Sequence, residues 1–220
     1  MTKIAPGLLF SLLLAASPAQ ASLITNGSFE AGSPPPPLGG WQTFSTGSTA
    51  ITGWTVIGGN IDWVDANVWQ ASDGTSSLDL IGNAHAGGVE QTIATVAGQR
   101  YLLTFDLAGN PDNQALAMKY LDVSAGAATQ TFSFDVTGHT LASIGWTQQS
   151  LSFVATGSTT TISFLAQTST GCCWGPALDN VAVNAVPEPE SDILVLTGLG
   201  LAGMLGWRRR AVQRRDSGKA

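Results

Sequence analysis

Indole rings and carboxylates alternate in one short stretch in the first third of the sequence. Asp62, Trp63, Asp65 and Trp69 lie within eight residues of one another. Recognition of a sugar requires a flat aromatic surface for the apolar faces of the ring and polar groups for its hydroxyls. This stretch contains both, and Trp174 could join it from a loop. These five residues are therefore candidates for binding carbohydrate.

The tryptophans have a second interpretation as core residues. Tryptophan is often largely buried in folded proteins, so Trp63 and Trp69 could fill the interior instead of facing a ligand. We assign Trp54 and Trp146, each within a Gly-Trp-Thr motif, to the core. Trp41 is expected in a loop, from which it could extend an aromatic surface. The sequence leaves both interpretations of Trp63 and Trp69 open.

Motifs for catalysis are missing from the sequence. The two histidines, His85 and His139, lie in glycine-flanked stretches, and no nucleophile elbow, zinc-protease helix or phosphate-binding loop is found. A carboxylate pair such as Asp62 and Asp65 could act as in a glycosidase, but sequence does not fix the separation of two carboxylates. We therefore predict a protein that is not an enzyme, with a glycan hydrolase as the less favoured alternative.

Cys172 and Cys173 are the only cysteines, and they are adjacent. Neighbouring Cα atoms are about 3.8 Å apart, whereas disulfides usually span about 4.4 to 6.8 Å. A bond between them would be strained, and two free thiols or pairing between molecules are the alternatives. The spacing does not match a zinc site.

The elements that must position these residues are strands. Short runs of β-branched or alternating residues recur about every ten residues, with turn residues between them, which is typical of an all-β sandwich or jelly roll. They form one domain over residues 22–185. The predicted strands are 50–57, 61–64, 76–81, 88–93, 100–107, 119–123, 129–136, 146–154, 159–167 and 178–184.

Both ends of the chain have the pattern of targeting segments. Residues 1–21 combine Lys3, an apolar stretch and an Ala-x-Ala site, which predicts a signal peptide cleaved after Ala21. The uncharged run 193–207 would form a transmembrane helix of about 22 Å, short for a spanning segment. Basic residues follow it, as expected for a cytoplasmic end. The first of these are Arg208, Arg209 and Arg210.

The charge of the domain excludes one class of partner. Between residues 22 and 185 there are two basic and eleven acidic residues, a net charge of −9, against −6 for the full chain. Nucleic acid is not expected as a partner, because its binding depends on Lys and Arg at phosphates. An acidic domain is well solvated and can attract cations.

The C-terminal segment 186–215 resembles the PEP-CTERM sorting signal of Gram-negative bacteria that export extracellular polysaccharide. The resemblance rests on Pro187, Glu188 and Pro189, followed by the short apolar run and the arginine cluster. It implies export by the Sec machinery, transient retention in the inner membrane, and removal of the tail by an exosortase near Pro187. The protein would then remain at the cell surface or in the extracellular matrix.

The domain itself is similar to the choice-of-anchor C family, a relative of the DUF642 proteins. The resemblance rests on the segments NGSFE at 26–30, GWTV at 53–56, WQASDGTSSLDL at 69–80, FDLAGN at 105–110 and GPALDNV at 175–181. It implies a galactose-binding-like jelly roll, the fold of many carbohydrate-binding modules. The expected function is non-catalytic binding of extracellular polysaccharide; a structural or adhesive matrix protein without a defined ligand is the alternative.

The same resemblance implies a structural Ca²⁺ ion. In many modules of this fold a Glu of the first strand and an Asp of the last strand hold the ion, and those positions fall on Glu30 and Asp179. Calcium takes six to eight oxygens, so the loop around Asp73 would have to supply more. The alternative is that Asp179 only accepts hydrogen bonds from backbone N–H groups.

Overall fold

The computed structural model describes residues 21–83, 85–113, 116–167 and 173–187. Every regular element in these ranges longer than a single turn is a β-strand, which confirms the all-β prediction. The strands are β1 (Trp41–Ser45), β2 (Thr55–Gly58), β3 (Asn60–Asp65), β4 (Ser76–Asp79), β5 (Gly87–Ala94), β6 (Arg100–Gly109), β7 (Met118–Ala125), β8 (Ala128–Asp135), β9 (Thr147–Val154), β10 (Thr159–Ala166) and β11 (Pro176–Ala185).

The strands form a jelly-roll sandwich of two antiparallel sheets. One has six strands in the order β1-β3-β4-β11-β6-β9, and the other has five in the order β2-β5-β10-β7-β8. Each predicted strand overlaps an observed one. The placement of Trp41 in a loop is wrong, because this residue begins β1, a short edge strand that pairs only with β3.

The core lies between the two sheets and follows the period-2 alternation of the strands. Along β6, Tyr101, Leu103, Phe105 and Leu107 are all buried, as their spacing predicts. The Phe105 ring packs edge-on against Phe164 of the other sheet, with 5.1 Å between ring centroids. Contacts of this kind fix the distance and the register between the sheets.

The opposite face of the six-stranded sheet carries acidic side chains. Antiparallel pairing places Asp62 of β3 directly opposite Asp79 of β4, and Asp106 of β6 directly opposite Asp179 of β11. These four residues are between 0% and 7% exposed. Loops between the strands therefore cover this face, and a site for a ligand has to lie where the cover is open.

The predicted targeting segments lie outside the part of the chain just described. These are the signal peptide, apart from Ala21, the apolar run 193–207 and the arginine cluster. Within the described ranges, no helix has the length and apolar character needed to cross a membrane.

Candidate functional site

A groove opens on the acidic face of the six-stranded sheet, above strands β1, β3 and β4. Its volume is about 160 Å³. Strand residues form its floor, and the loops after β3, β4, β6 and β8, together with the loop before β11, form its walls. The aromatic and polar residues that line it are Trp41, Asp62, Trp69, Asp79, Asn83, Asn110, Asp112 and Trp174.

Three tryptophans supply the aromatic surface of the groove. Trp41 begins the edge strand β1 and is 54% exposed, so one ring face is open to solvent. Trp69 is only 3% exposed, and its Nε1 donates a hydrogen bond to Ser77 Oγ at 2.8 Å, which fixes the ring in the wall. Trp174 is half-buried in the loop before β11. The groove thus has one freely accessible indole and two held in place.

Asp62 forms part of the floor through a short chain of hydrogen bonds. Asn83 Nδ2 donates to Thr43 Oγ1 at 3.2 Å, and Thr43 Oγ1 donates to Asp62 Oδ1 at 2.5 Å. Within the described ranges Asp62 Oδ2 accepts no hydrogen bond, although the residue is only 6% exposed. Burial raises the pKa of Asp62, and the bond from Thr43 opposes this effect in part. A single carboxylate oxygen is left for a ligand.

Asp79 lies beside Asp62 and has no such free oxygen. Its Oδ1 accepts bonds from the N–H groups of Ile81 and Gly175, and its Oδ2 accepts one from Asn110 Nδ2. Burial, together with the nearby negative charge of Asp62, raises the pKa of Asp79 to about 7, although the hydrogen bonds act in the other direction. Asp79 therefore links β4 to the loops that follow β6 and precede β11.

The structure separates the five residues that the sequence proposed for binding. Asp62, Trp69 and Trp174 line the groove. Trp63 instead points into the core, where it is 1% exposed and its Nε1 donates to the Phe29 carbonyl at 2.8 Å. This is the core alternative that the sequence left open for it. Asp65 lies outside the groove and accepts hydrogen bonds from the backbone N–H groups of Gly39 and Asn67.

The residues proposed for calcium hold a loop by hydrogen bonds. Asp179 Oδ2 accepts the N–H groups of Ser72 and Asp73 at 2.8 and 2.9 Å, and its Oδ1 accepts the N–H of Asn180. Asp73 thus contributes its backbone N–H, a group that does not ligate a cation. Burial is the main cause that raises the pKa of Asp179 to about 7, whereas a bound cation would favour the ionised form.

Glu30 supports the other end of the same loop. Its Oε1 accepts the N–H groups of Thr75 and Ser76, both at 2.8 Å, and its Oε2 accepts the Thr75 hydroxyl at 2.6 Å. Among the described residues, no three His, Cys, Asp or Glu side chains lie close enough to hold a metal ion. This donor set fits hydrogen bonding better than Ca²⁺, and the calcium site stays a prediction that removal of metal can test.

Of the adjacent cysteines, only Cys173 lies within the described residues, and it is disulfide-bonded. It lines the groove beside Trp174, and its carbonyl accepts a hydrogen bond from Asn110 Nδ2. Of the sorting motif, Pro187 is described, whereas Glu188, Pro189 and the arginines lie beyond.

Sequence reasoning missed most of the polar residues of the groove, namely Asp79, Asn83, Asn110 and Asp112, and also Thr43, which bonds Asp62. One signal was available for Asp79. It is an acidic residue between two leucines inside a predicted strand, a position where a charge is retained only with hydrogen-bonding partners. Asn83, Asn110 and Asp112 lie in loops, and Thr43 lies within β1. The sequence contains no indication that these segments meet.

Comparison with known proteins identifies the family of the chain. Residues 22–184 match the family described as protein of unknown function (DUF642). The chain belongs to this family. Residues 185–210 match the PEP-CTERM protein-sorting motif, which marks an exported protein. Both resemblances inferred from the sequence are confirmed.

A curated relative of this DUF642 protein is halomucin from Haloquadratum walsbyi strain DSM 16790 / HBSQ001. The two are 31% identical over 172 residues, which cover 77% of this chain and 2% of halomucin. The chain therefore spans only a small fraction of the relative's length.

Solved structures of carbohydrate-binding modules are similar to this DUF642 protein at low identity. TmCBM61 in complex with beta-1,4-galactotriose has a TM-score of 0.46 at 17% identity and covers 76% of this chain and 100% of its own. A family 35 module from Clostridium thermocellum has a TM-score of 0.43 at 15% identity. The match covers 66% of this chain and 99% of that module. The CBM22-1 xylan-binding domain of Paenibacillus barcinonensis Xyn10C has a TM-score of 0.42 at 16% identity. The match covers 70% of this chain and 98% of that domain. Likeness at this level does not identify a ligand.

Proposed function

We propose that the protein is an exported, non-catalytic module that binds polysaccharide through the groove. The observation that carries this proposal is the open indole of Trp41, 54% exposed, at the rim of a groove with a polar floor. An exposed tryptophan ring matches the apolar face of a pyranose, and carboxylate and amide groups below it match the hydroxyls.

The polar groups of the groove are held in place before any ligand arrives. Asp62 is fixed by Thr43, and Asn110 is fixed by Asp79 through hydrogen bonds of 2.5 and 2.9 Å. Side chains that are already ordered lose less conformational entropy on binding. This preorganisation supports a binding function for the groove.

A glycan hydrolase is the second candidate, because Asp62 and Asp79 are cross-strand neighbours. Residues paired in this way have Cβ atoms about 4.5 to 5.5 Å apart, and retaining glycosidases use carboxyl groups about 5 to 5.5 Å apart. Both oxygens of Asp79, however, already accept hydrogen bonds from the protein. A nucleophile needs a free oxygen, so we favour binding over hydrolysis.

The sorting motif supports a location outside the cell. We infer that the Sec machinery exports the chain, that the segment after residue 187 holds it briefly in the inner membrane of a Gram-negative cell, and that an exosortase then removes the tail. The mature module would remain at the surface or in the polysaccharide matrix. A mass spectrum of the exported protein tests this inference, which predicts that Arg208, Arg209 and Arg210 are missing.

Affinity electrophoresis of the purified protein in gels that contain different polysaccharides tests binding. We expect retardation by at least one polysaccharide and loss of retardation in Trp41→Ala. Trp146→Phe is a matched control outside the groove lining, and it should be retarded like the wild type. Failure of every polysaccharide to retard the protein would contradict the proposal, and would favour a matrix protein without a defined ligand. Release of reducing ends from a retarding polysaccharide would instead favour the hydrolase.

A further inference from the structure

The ionisable side chains described in the lining of the groove are acidic. Asp62, Asp79 and Asp112 are part of the lining, and none of its described residues is a lysine, arginine or histidine. Carboxylates can accept hydrogen bonds from sugar hydroxyls, but they also attract an ammonium group more strongly than neutral amide or hydroxyl groups do. The charge of the groove therefore carries information about the ligand.

Asp62 gives the most specific indication. It is 6% exposed, and within the described ranges its Oδ2 accepts no hydrogen bond, although it belongs to the lining of the groove. Asp62 Oδ2 therefore offers a ligand in the groove one acceptor that the described residues leave unused. A donor with positive charge would bond it most strongly, since bonds between ammonium and carboxylate groups are shorter and stronger than neutral ones.

The walls of the groove favour the same kind of ligand. The faces of indole rings attract cations that lie within about 6 Å of the ring, and Trp41, Trp69 and Trp174 line the same groove as Asp62 and Asp79. A groove with both indole rings and carboxylates suits an ammonium group. The same walls can still stack against the apolar face of the sugar that carries this group.

A buried cation, Lys119, acts on Asp79 of the floor and not on Asp62. Lys119 of β7 is 4% exposed and comes from the other sheet, packed against Gly109. Its Nζ has no hydrogen-bond partner within the described ranges, and it is not part of the groove lining. Burial lowers the pKa of Lys119, and the charge of Asp79 acts in the other direction. Lys119 can therefore offset part of the charge of Asp79, whereas the pKa of Asp62 is shifted only by burial and by the bond from Thr43. The charge of Asp62 is left for a ligand.

We propose that the groove selects glycans that carry free amino groups, such as polymers of unacetylated hexosamine, with the ammonium group bonded to Asp62 Oδ2 between the tryptophan rings. This inference rests on the proposed polysaccharide-binding function and names the class of sugar. Neutral and N-acetylated sugars can still bond Asp62 through their hydroxyls, but they lack the positive charge and would bind more weakly.

Calorimetric titration of the purified protein with matched oligosaccharides tests the inference. The probes are a glucosamine hexamer, an N-acetylglucosamine hexamer and a galacturonic acid hexamer. We expect the glucosamine hexamer to bind at least about tenfold more tightly than the acetylated one, since tenfold is the effect of one modest polar contact. The acidic hexamer should bind most weakly.

Two variants separate the groove from the general acidity of the domain. Asp62→Asn should abolish most of the preference for the amine, and Asp112→Asn, at an exposed position in the same groove, should reduce it. Glu90→Gln removes the same charge from β5 in the other sheet and should leave the preference unchanged. The Asp112 variant provides an independent test if Asp62→Asn folds poorly, as judged by tryptophan fluorescence.

The possible results distinguish this inference from the function on which it rests. Equal affinity for the amine and acetylated hexamers would overturn the inference and leave polysaccharide binding intact. An equal loss of preference in Glu90→Gln would also overturn it, because the effect would then come from net charge. Absence of binding to these probes and to every polysaccharide in the gels would overturn both.

Discussion

Replacement of Asp179 tests the buried acidic face most directly. Its carboxyl group is 0% exposed, accepts three backbone N–H bonds, and has a pKa raised from 3.8 to about 7, chiefly by burial. The unfolded chain releases the proton near the ordinary value. Between about pH 4 and pH 7 the folded state therefore binds more protons, and the free energy of unfolding must fall as pH rises.

The magnitude follows from the interval between the two pKa values of Asp179. About 3 pH units at about 1.4 kcal/mol each give a loss of about 4 kcal/mol, complete once the pH exceeds about 7. Asp179→Asn removes the titrating group and keeps one oxygen as an acceptor. We therefore expect the free energy of unfolding of the variant, minus that of the wild type, to rise by about 4 kcal/mol between pH 4 and pH 8.

Urea unfolding followed by tryptophan fluorescence measures this difference at each pH in buffer with EDTA. Glu90→Gln serves as the control, since it removes an acidic group from the outer face of the other sheet. A difference curve that stays flat for Asp179→Asn would refute the reasoning. Repetition with added Ca²⁺ examines the calcium hypothesis, because a cation bound at Asp179 would favour its ionised form and make the curve fall with pH.

Three further predictions use the same unfolding assay. Trp63→Phe should lose about 1 to 3 kcal/mol, whereas Trp41→Ala should lose under about 1 kcal/mol yet no longer bind polysaccharide; similar losses would contradict the assignment of the two rings. Gly74→Ala should lose about 1 to 2 kcal/mol, because Gly74 has a φ of +74°; unchanged stability would argue against this loop conformation. Lys119→Met should gain about 1 to 3 kcal/mol at pH 7, because it removes a buried ammonium that has no hydrogen-bond partner among the described residues. Destabilisation would show that the attraction between Lys119 and Asp79 outweighs the cost of burial.

The strands could be predicted because their signal is local. Alternation in β6 and β10 requires only that one face of each strand is buried and the other is less so. β1 was not predicted because it is a five-residue edge strand with no fully buried residue. Its strand conformation comes from pairing with β3, a contact that the residues of β1 do not specify.

The groove could be predicted only in part, because it depends on contacts between distant segments. The sequence placed Asp62, Trp69 and Trp174 among the binding candidates, and all three line the groove. It did not indicate Asp79, whose position opposite Asp62 results from the pairing of β3 with β4. The sequence also did not indicate the hydrogen bond between Asn110 and Asp79, because 31 residues separate them along the chain.

The sequence by itself determined the class of fold, the family and the sorting segment, since each depends on the order of residue types along the chain. Only the tertiary structure decided which tryptophans face the groove. The inner residues of β3, from Ile61 to Val64, are all buried. The two faces of this strand therefore do not differ in solvent exposure, and exposure cannot show which way Trp63 points. One face of β3 packs against the other sheet, and this places Trp63 in the core. The opposite face packs against loops, and this places Asp62 in the floor of the groove.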